Sequence, residues 1–150
     1  MSLRHKRACK ELMKLQESPC PCVASASPRD EVSLFDWTVW LLGPPSSPYN
    51  GYKYKLRVQL PEDYPNAAPT IMFETPIWHP AVSIEGKVCE LMFADWRGTM
   101  TIADALTMVF HVLEDTKGIM NVEAAKMVKE DVKQFWVKAA QHAAKKGVGV

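Results

Sequence analysis

Residues 52–60, Tyr52-Lys53-Tyr54-Lys55-Leu56-Arg57-Val58-Gln59-Leu60, alternate without a break. Successive side chains of a strand face opposite ways, so Tyr52, Tyr54, Leu56, Val58 and Leu60 share one side and Lys53, Lys55, Arg57 and Gln59 the other. A strand with one apolar and one charged face belongs in an antiparallel sheet whose second face is wet. Asn50-Gly51, just upstream, is a strong turn signal. Before it, beyond Gly43-Pro44-Pro45, residues 31–42 repeat the alternation with Phe35, Trp37, Val39 and Leu41 on one face. Downstream, Pro61, Pro65 and Pro69 stiffen a connection to a shorter run over 70–75, with Ile71 and Phe73 inward. Residues 19–30, made largely of Cys, Ser, Ala and Pro, read either as a short strand or as an irregular arm.

Helices flank this sheet. Leu3, Ala8, Leu12 and Leu15 form an apolar stripe over residues 3–17, with Arg4, Lys6, Arg7, Lys10 and Lys14 around it. Ser18-Pro19 stops that helix. Thr101-Ile102-Ala103-Asp104 predicts a capping box, and Ile102, Leu106, Val109, Phe110 and Leu113 the buried stripe behind it. A last helix is expected from Asn121, a good N-cap, to about Lys145, with Met127, Val128, Val132, Phe135, Trp136 and Ala139 inward. The order of helix, antiparallel meander, irregular stretch and helices is α+β.

A chain of 150 residues suits one domain, here 1–150. A formal net charge of +1 predicts no bulk attraction to nucleic acid or membrane. The charged opening residues hold no apolar h-region, and no apolar run approaches a membrane span, so the expectation is a cytosolic or nuclear protein. Four cysteines, at 9, 20, 22 and 89, do not read as a disulfide framework. Cys20-Pro21-Cys22 lacks a matching Cys/His pair at metal-site spacing, so no metal is expected.

Residues 76–100 are long and irregular, and such stretches in compact domains are often functional. They carry His79 and Cys89. On local features alone the bland reading of Cys89 as a buried thiol leads, since free Cys is among the most buried residue types. Against it, Gly86-Lys87 makes a tight polar turn just before the residue, and Lys87 is a cation that could favour a thiolate. For a cysteine hydrolase His79 would have to serve as base, but it reads more readily as a turn histidine; His111 falls inside a helical run with no evident partner.

The motifs in order resemble those of the ubiquitin-conjugating (E2) enzymes over about residues 3–140. The resemblance rests on Lys10-Glu11-Leu12, Gly43-Pro44, Ser47-Pro48-Tyr49 with Gly51, and Leu60-Pro61, Tyr64-Pro65 and Pro69. It continues through Trp78-His79-Pro80, Gly86-Lys87-Val88-Cys89, Trp96 with Thr101, and Asn121-Val122-Glu123-Ala124-Ala125. It implies the UBC-like fold, with Cys89 accepting ubiquitin or a ubiquitin-like protein from an activating (E1) enzyme and passing it to a lysine, with or without a ligase (E3). It implies no cofactor. It makes His79, Pro80, Ala81 and Trp96 active-site structural positions, Lys6, Lys10 and Lys14 an E1-facing row, and Asn66 and Arg97 positions at the ligase-docking surface. The lysine row reads equally as a solvated helix face.

The resemblance also has breaks. Ala81 stands where the family usually has Asn, a side chain thought to stabilise the oxyanion or brace the loop. Residues Glu114–Met120 hold no Pro and are one residue short, leaving Asp115 and Glu90 as candidate gate groups. Asn66 and Arg97-Gly98-Thr99 replace an apolar docking anchor. These departures support an alternative: an impaired family variant acting as a ubiquitin-binding or scaffold module. Under the enzyme reading, Ala81→Asn is expected to speed lysine transfer more than it changes loading.

Overall fold

The computed structural model describes residues 2–150. Helix α1, Leu3–Glu17, starts on Ser2, whose side chain accepts the His5 N–H. Ala8, Glu11, Leu12 and Leu15 are its buried face. Leu3, expected in the stripe, is 59% exposed; in that first turn Arg4 packs instead, over the Phe35 ring and onto the Leu60 carbonyl at 2.6 Å.

Strands β1 (Val23–Pro28), β2 (Asp36–Leu42), β3 (Tyr52–Gln59) and β4 (Thr70–Phe73) form an antiparallel meander in the order β1-β2-β3-β4. The arm at 19–30 is thus a strand in part, and Pro28 sits on the edge of the sheet, where a missing N–H is tolerated. The register pairs Trp37 with Val58, Val39 with Leu56, Leu41 with Tyr54, Leu56 with Phe73 and Val58 with Ile71. All of these are buried on the inner face. Fully burying one such aliphatic side chain contributes about 1.5–3 kcal/mol. A two-residue strand, β5 (Val148–Gly149), which the sequence did not suggest, pairs with Tyr52 and Lys53 where β4 does not reach.

Helix α2, Ile102–Glu114, has the expected capping box on Thr101 and Asp104. Its buried stripe is Ile102, Ala105, Leu106, Val109 and Leu113, with Phe110 only half-buried. The expected last helix is two helices, α3 (Val122–Glu130) and α4 (Val132–Lys146). Asp131 breaks it: its extended backbone ends α3, while its carboxylate accepts the N–H groups of Lys133 and Gln134 to start α4. The break changes the helical phase. Phe135 and Ala139 stay buried, but Val132 and Trp136 are 47% and 44% exposed.

One buried carboxylate ties α1 to the irregular stretch. Glu11 accepts from Arg7 Nε (2.8 Å), the Tyr64 hydroxyl (2.7 Å) and the Ile102 N–H (2.7 Å). Arg7 also donates to the carbonyls of Gly98 (2.8 Å) and Met100 (2.5 Å). A buried charge with its lone pairs filled is tolerable, and losing one partner would leave it exposed to the full desolvation cost.

Candidate active site

Gly86 sets the local path of Cys89. It has φ +95°, and a Cβ there would lie 2.0 Å from the Phe73 carbonyl oxygen, so only glycine closes the turn against β4. The Phe73 N–H donates to the Gly86 carbonyl at 2.8 Å. On the other side Ser83 Oγ accepts the Lys87 N–H at 2.9 Å, and the Ser83 N–H donates to the Lys87 carbonyl at 2.9 Å. Lys87 bridges to Met72 and Val88 to Val82. The chain is therefore tacked down on both edges up to Val88, which is buried.

Cys89 then leaves this ladder. It caps the 3₁₀ helix Glu90–Phe93, in which no residue is buried. Its thiol is half-exposed and free. It borders an open cleft of about 680 Å³ whose walls include Thr70 and Met72 of β4, Lys87, Glu90, Leu91 and Met120.

The neighbouring segment 79–83, joined to this ladder through Val82, is closed and does not line the cleft. His79 is fully buried. Its Nδ1 accepts the Ala81 N–H at 2.9 Å, which places the proton on Nε2, 2.7 Å from the Asp115 carbonyl. Burial is the main force lowering its pKa, to about 4, with the Asp115 carbonyl opposing. A neutral imidazole with both nitrogens committed has none free to deprotonate a thiol. His79 instead pins the end of α2 to the segment 79–81.

The Pro80 carbonyl accepts the Asn121 N–H at 3.0 Å. Between these two ties the short loop after α2 crosses directly over Ala81. A Cβ on Gly118 (φ +127°) would lie 2.7 Å from both the Cα and the N of Ala81. Ala81 is only 5% exposed. The position lacks a polar side chain, and the loop backbone fills the space above it.

The two carboxylates named as gate candidates part company. Glu90 is exposed on the cleft wall beside Cys89. Asp115 is spent on its own turn: Oδ1 accepts the Thr116 N–H at 2.7 Å and Oδ2 lies 3.8 Å from Lys117 Nζ. The loop's contribution to the cleft is Met120, which sequence reasoning passed over because an isolated Met in a loop carries no chemical signal.

Trp96 donates from Nε1 to the Pro65 carbonyl at 2.8 Å, with its ring near Tyr64 and Phe93. It brings together the loops bearing Asn66 and Arg97, both exposed; a Cβ on the adjacent Gly98 would lie 3.0 Å from Asn66 Oδ1. On α1, Lys6, Lys10 and Lys14 are all exposed.

A family model for ubiquitin-conjugating enzyme matches residues 7–143. The chain belongs to the ubiquitin-conjugating enzyme family. Among solved structures it is similar to a candidate ubiquitin conjugating enzyme from Plasmodium yoelii, with a TM-score of 0.91 and 30% identity over 100% of this chain and 99% of that one. It is also similar to the E2 domain of a Toxoplasma gondii ubiquitin conjugating enzyme, with a TM-score of 0.86 and 29% identity over 95% of this chain and 98% of that one. The α+β arrangement of N-terminal helix, antiparallel sheet and C-terminal helices is the fold of this family.

Proposed function

We propose that this protein accepts the C-terminus of ubiquitin, or of a ubiquitin-like modifier, from an activating enzyme as a thioester on Cys89, and passes it to a lysine. The observation that carries the reading is a half-exposed thiol on the rim of an open cleft in a chain of this family. The Cys89 sulfur attacks the carbonyl carbon of the incoming thioester, and the activating enzyme's thiolate leaves. One thioester replaces another, so the exchange is close to balanced. A lysine amine then attacks the same carbonyl, loses its proton, and the C–S bond breaks to release Cys89 and an amide.

The second step builds charge on the carbonyl oxygen. Ala81 has no donor to offer it, and removing one such donor typically costs about 10²–10³ in rate. Backbone N–H groups or a ligase would have to supply what is missing. Glu90 is the carboxylate on the cleft wall, so it is the group favoured to orient or deprotonate the amine. The exposed Lys6, Lys10 and Lys14 row suits docking of the activating enzyme, and Asn66 with Arg97 a ligase of unspecified type. A reducing cytosolic or nuclear setting suits the free thiols. The loop packed on Ala81 favours a second reading, in which the protein loads but discharges slowly and acts as a ubiquitin-bearing scaffold.

Incubation with activating enzyme, ATP and ubiquitin, followed by a chase with free lysine, separates these. A reductant-removable adduct that lysine consumes supports the transfer reading; one that lysine leaves untouched supports the scaffold. No adduct with ubiquitin or any ubiquitin-like modifier would sink both.

A further inference from the structure

Cys20-Pro21-Cys22 joins the end of α1 to β1. Pro21 supplies the φ needed at the second position of a turn, and the Val23 N–H closes it on the Cys20 carbonyl at 2.9 Å. The Leu42 N–H holds the Cys22 carbonyl at 2.8 Å. This backbone sets the two sulfurs 3.4 Å apart. Cys20 is half-exposed and lines a small cleft of about 160 Å³ with Glu11, Lys14, Leu15, Ser18 and Thr101. Cys22 is buried, with its sulfur 3.9 Å from Thr107 Oγ1. One sulfur can therefore meet a small reagent while the other waits against it. Among the described residues no group of three or more His, Cys, Asp or Glu side chains converges as a metal site, so two sulfurs alone are on offer.

We infer that Cys20 and Cys22 form a reactive dithiol that takes hydrogen peroxide and closes to an intramolecular disulfide. The Cys20 sulfur attacks one peroxide oxygen, the O–O bond breaks, and water leaves, giving a sulfenic acid on Cys20. The Cys22 sulfur then attacks the Cys20 sulfur, the S–O bond breaks, and a second water leaves. The two thiols lose two protons and two electrons, and one peroxide becomes two waters. The Cys22 thiol hydrogen-bonds to the Cys20 sulfur, which lowers Cys20 below the ordinary thiol range, while that contact and burial hold Cys22 above it. Access makes Cys20 the attacking sulfur, since it is half-exposed while Cys22 is buried. Closure asks the sulfurs to move from 3.4 Å to about 2 Å apart. The inference does not depend on what Cys89 does.

The test treats the intact protein with one equivalent of hydrogen peroxide at neutral pH. Remaining thiols are then alkylated and the tryptic peptide 15–29, which carries both residues, is weighed. That peptide should escape alkylation and be lighter by two hydrogen atoms than its reduced form, reaching this state about tenfold or more faster than Cys9 or Cys89 reacts. Reductant should reverse the change. Cys22→Ala should leave a sulfenic acid on Cys20 that a dimedone probe captures. Because Cys22 is buried, Cys20→Ser at the half-exposed position gives an independent arm, and it should abolish the linked product. Reaction at Cys9 or Cys89 as fast as at Cys20, or oxidation of Cys20 with no linked peptide, would overturn the inference.

Discussion

The two segments that flank Cys89, a closed wall at 79–83 and an open one at 89–93, are held in opposite ways. On one wall, residues 79–83 are buried throughout, His79 commits both ring nitrogens, and the loop carrying Gly118 lies on the backbone of Ala81. On the other, Cys89 and the 3₁₀ helix after it bury nothing completely. The closed wall is a structural clamp in which shape decides the residue. The open wall has the access that a thiol would need under the proposed function to meet a donor and an acceptor in turn. The difference teaches where to expect losses of stability and where to expect losses of rate.

The largest effect should come from the closed wall. Gly118→Ala forces a Cβ to within 2.7 Å of two Ala81 backbone atoms, at a φ that L-residues avoid. A loss of about 3 kcal/mol is expected in urea unfolding. A neutral result would mean that the loop floats free of Ala81. Acid should strain the same wall. His79 is held neutral with a pKa of about 4, against an ordinary 6.5. Between those values the unfolded chain binds a proton that the folded chain refuses, so stability is complete above about pH 6.5 and falls as pH drops toward about 4, flattening below. The contribution is about 3 kcal/mol, read from the urea midpoint against pH. An imidazole of His79 that is protonated at pH 5 in nitrogen NMR would contradict it.

Ala81→Asn comes next. The sequence led to an expected gain in lysine discharge, but the side-chain position is buried under Gly118. Overpacking there should cost about 1–3 kcal/mol in thermal or urea unfolding, so any gain in discharge should come with lost stability. A faster enzyme of unchanged stability would show that the loop steps aside freely. The open wall gives the smallest effect, on rate alone. Glu90→Gln should slow lysine discharge about tenfold and leave loading and stability nearly unchanged. Asp115→Asn, whose side chain serves its own turn, should change discharge less. The reverse order would move the functional carboxylate to the closed wall.

Much of the sheet was legible because its period is local. Tyr54, Leu56 and Val58 alternate, and burying them on one face fixes the register with Trp37, Val39 and Leu41. The capping box at Thr101 was equally local. What escaped the sequence depends on contacts between distant segments. Asp131 looks like one more polar residue in a helical stripe, and only packing shows that it ends one helix and begins another. Gly118 was visible as a glycine, but its reason is Ala81, thirty-seven positions upstream. Glu90 and Asp115 could not be told apart until the loop showed which side chain was already occupied. Cys20-Pro21-Cys22 reads in sequence as an incomplete metal motif; the turn that presses its sulfurs together follows from Pro21 and the Val23 hydrogen bond.

The most direct test of the central claim uses the chemistry of the attacked atom. With activating enzyme, ATP and ubiquitin, the protein should form an adduct that thiol reductant removes. Cys89→Ser should convert it to an ester that resists reductant but yields to hydroxide, and Cys89→Ala should abolish it. An adduct that persists in Cys89→Ala, or one in Cys89→Ser that reductant still removes, would place the bond on another residue and contradict the account.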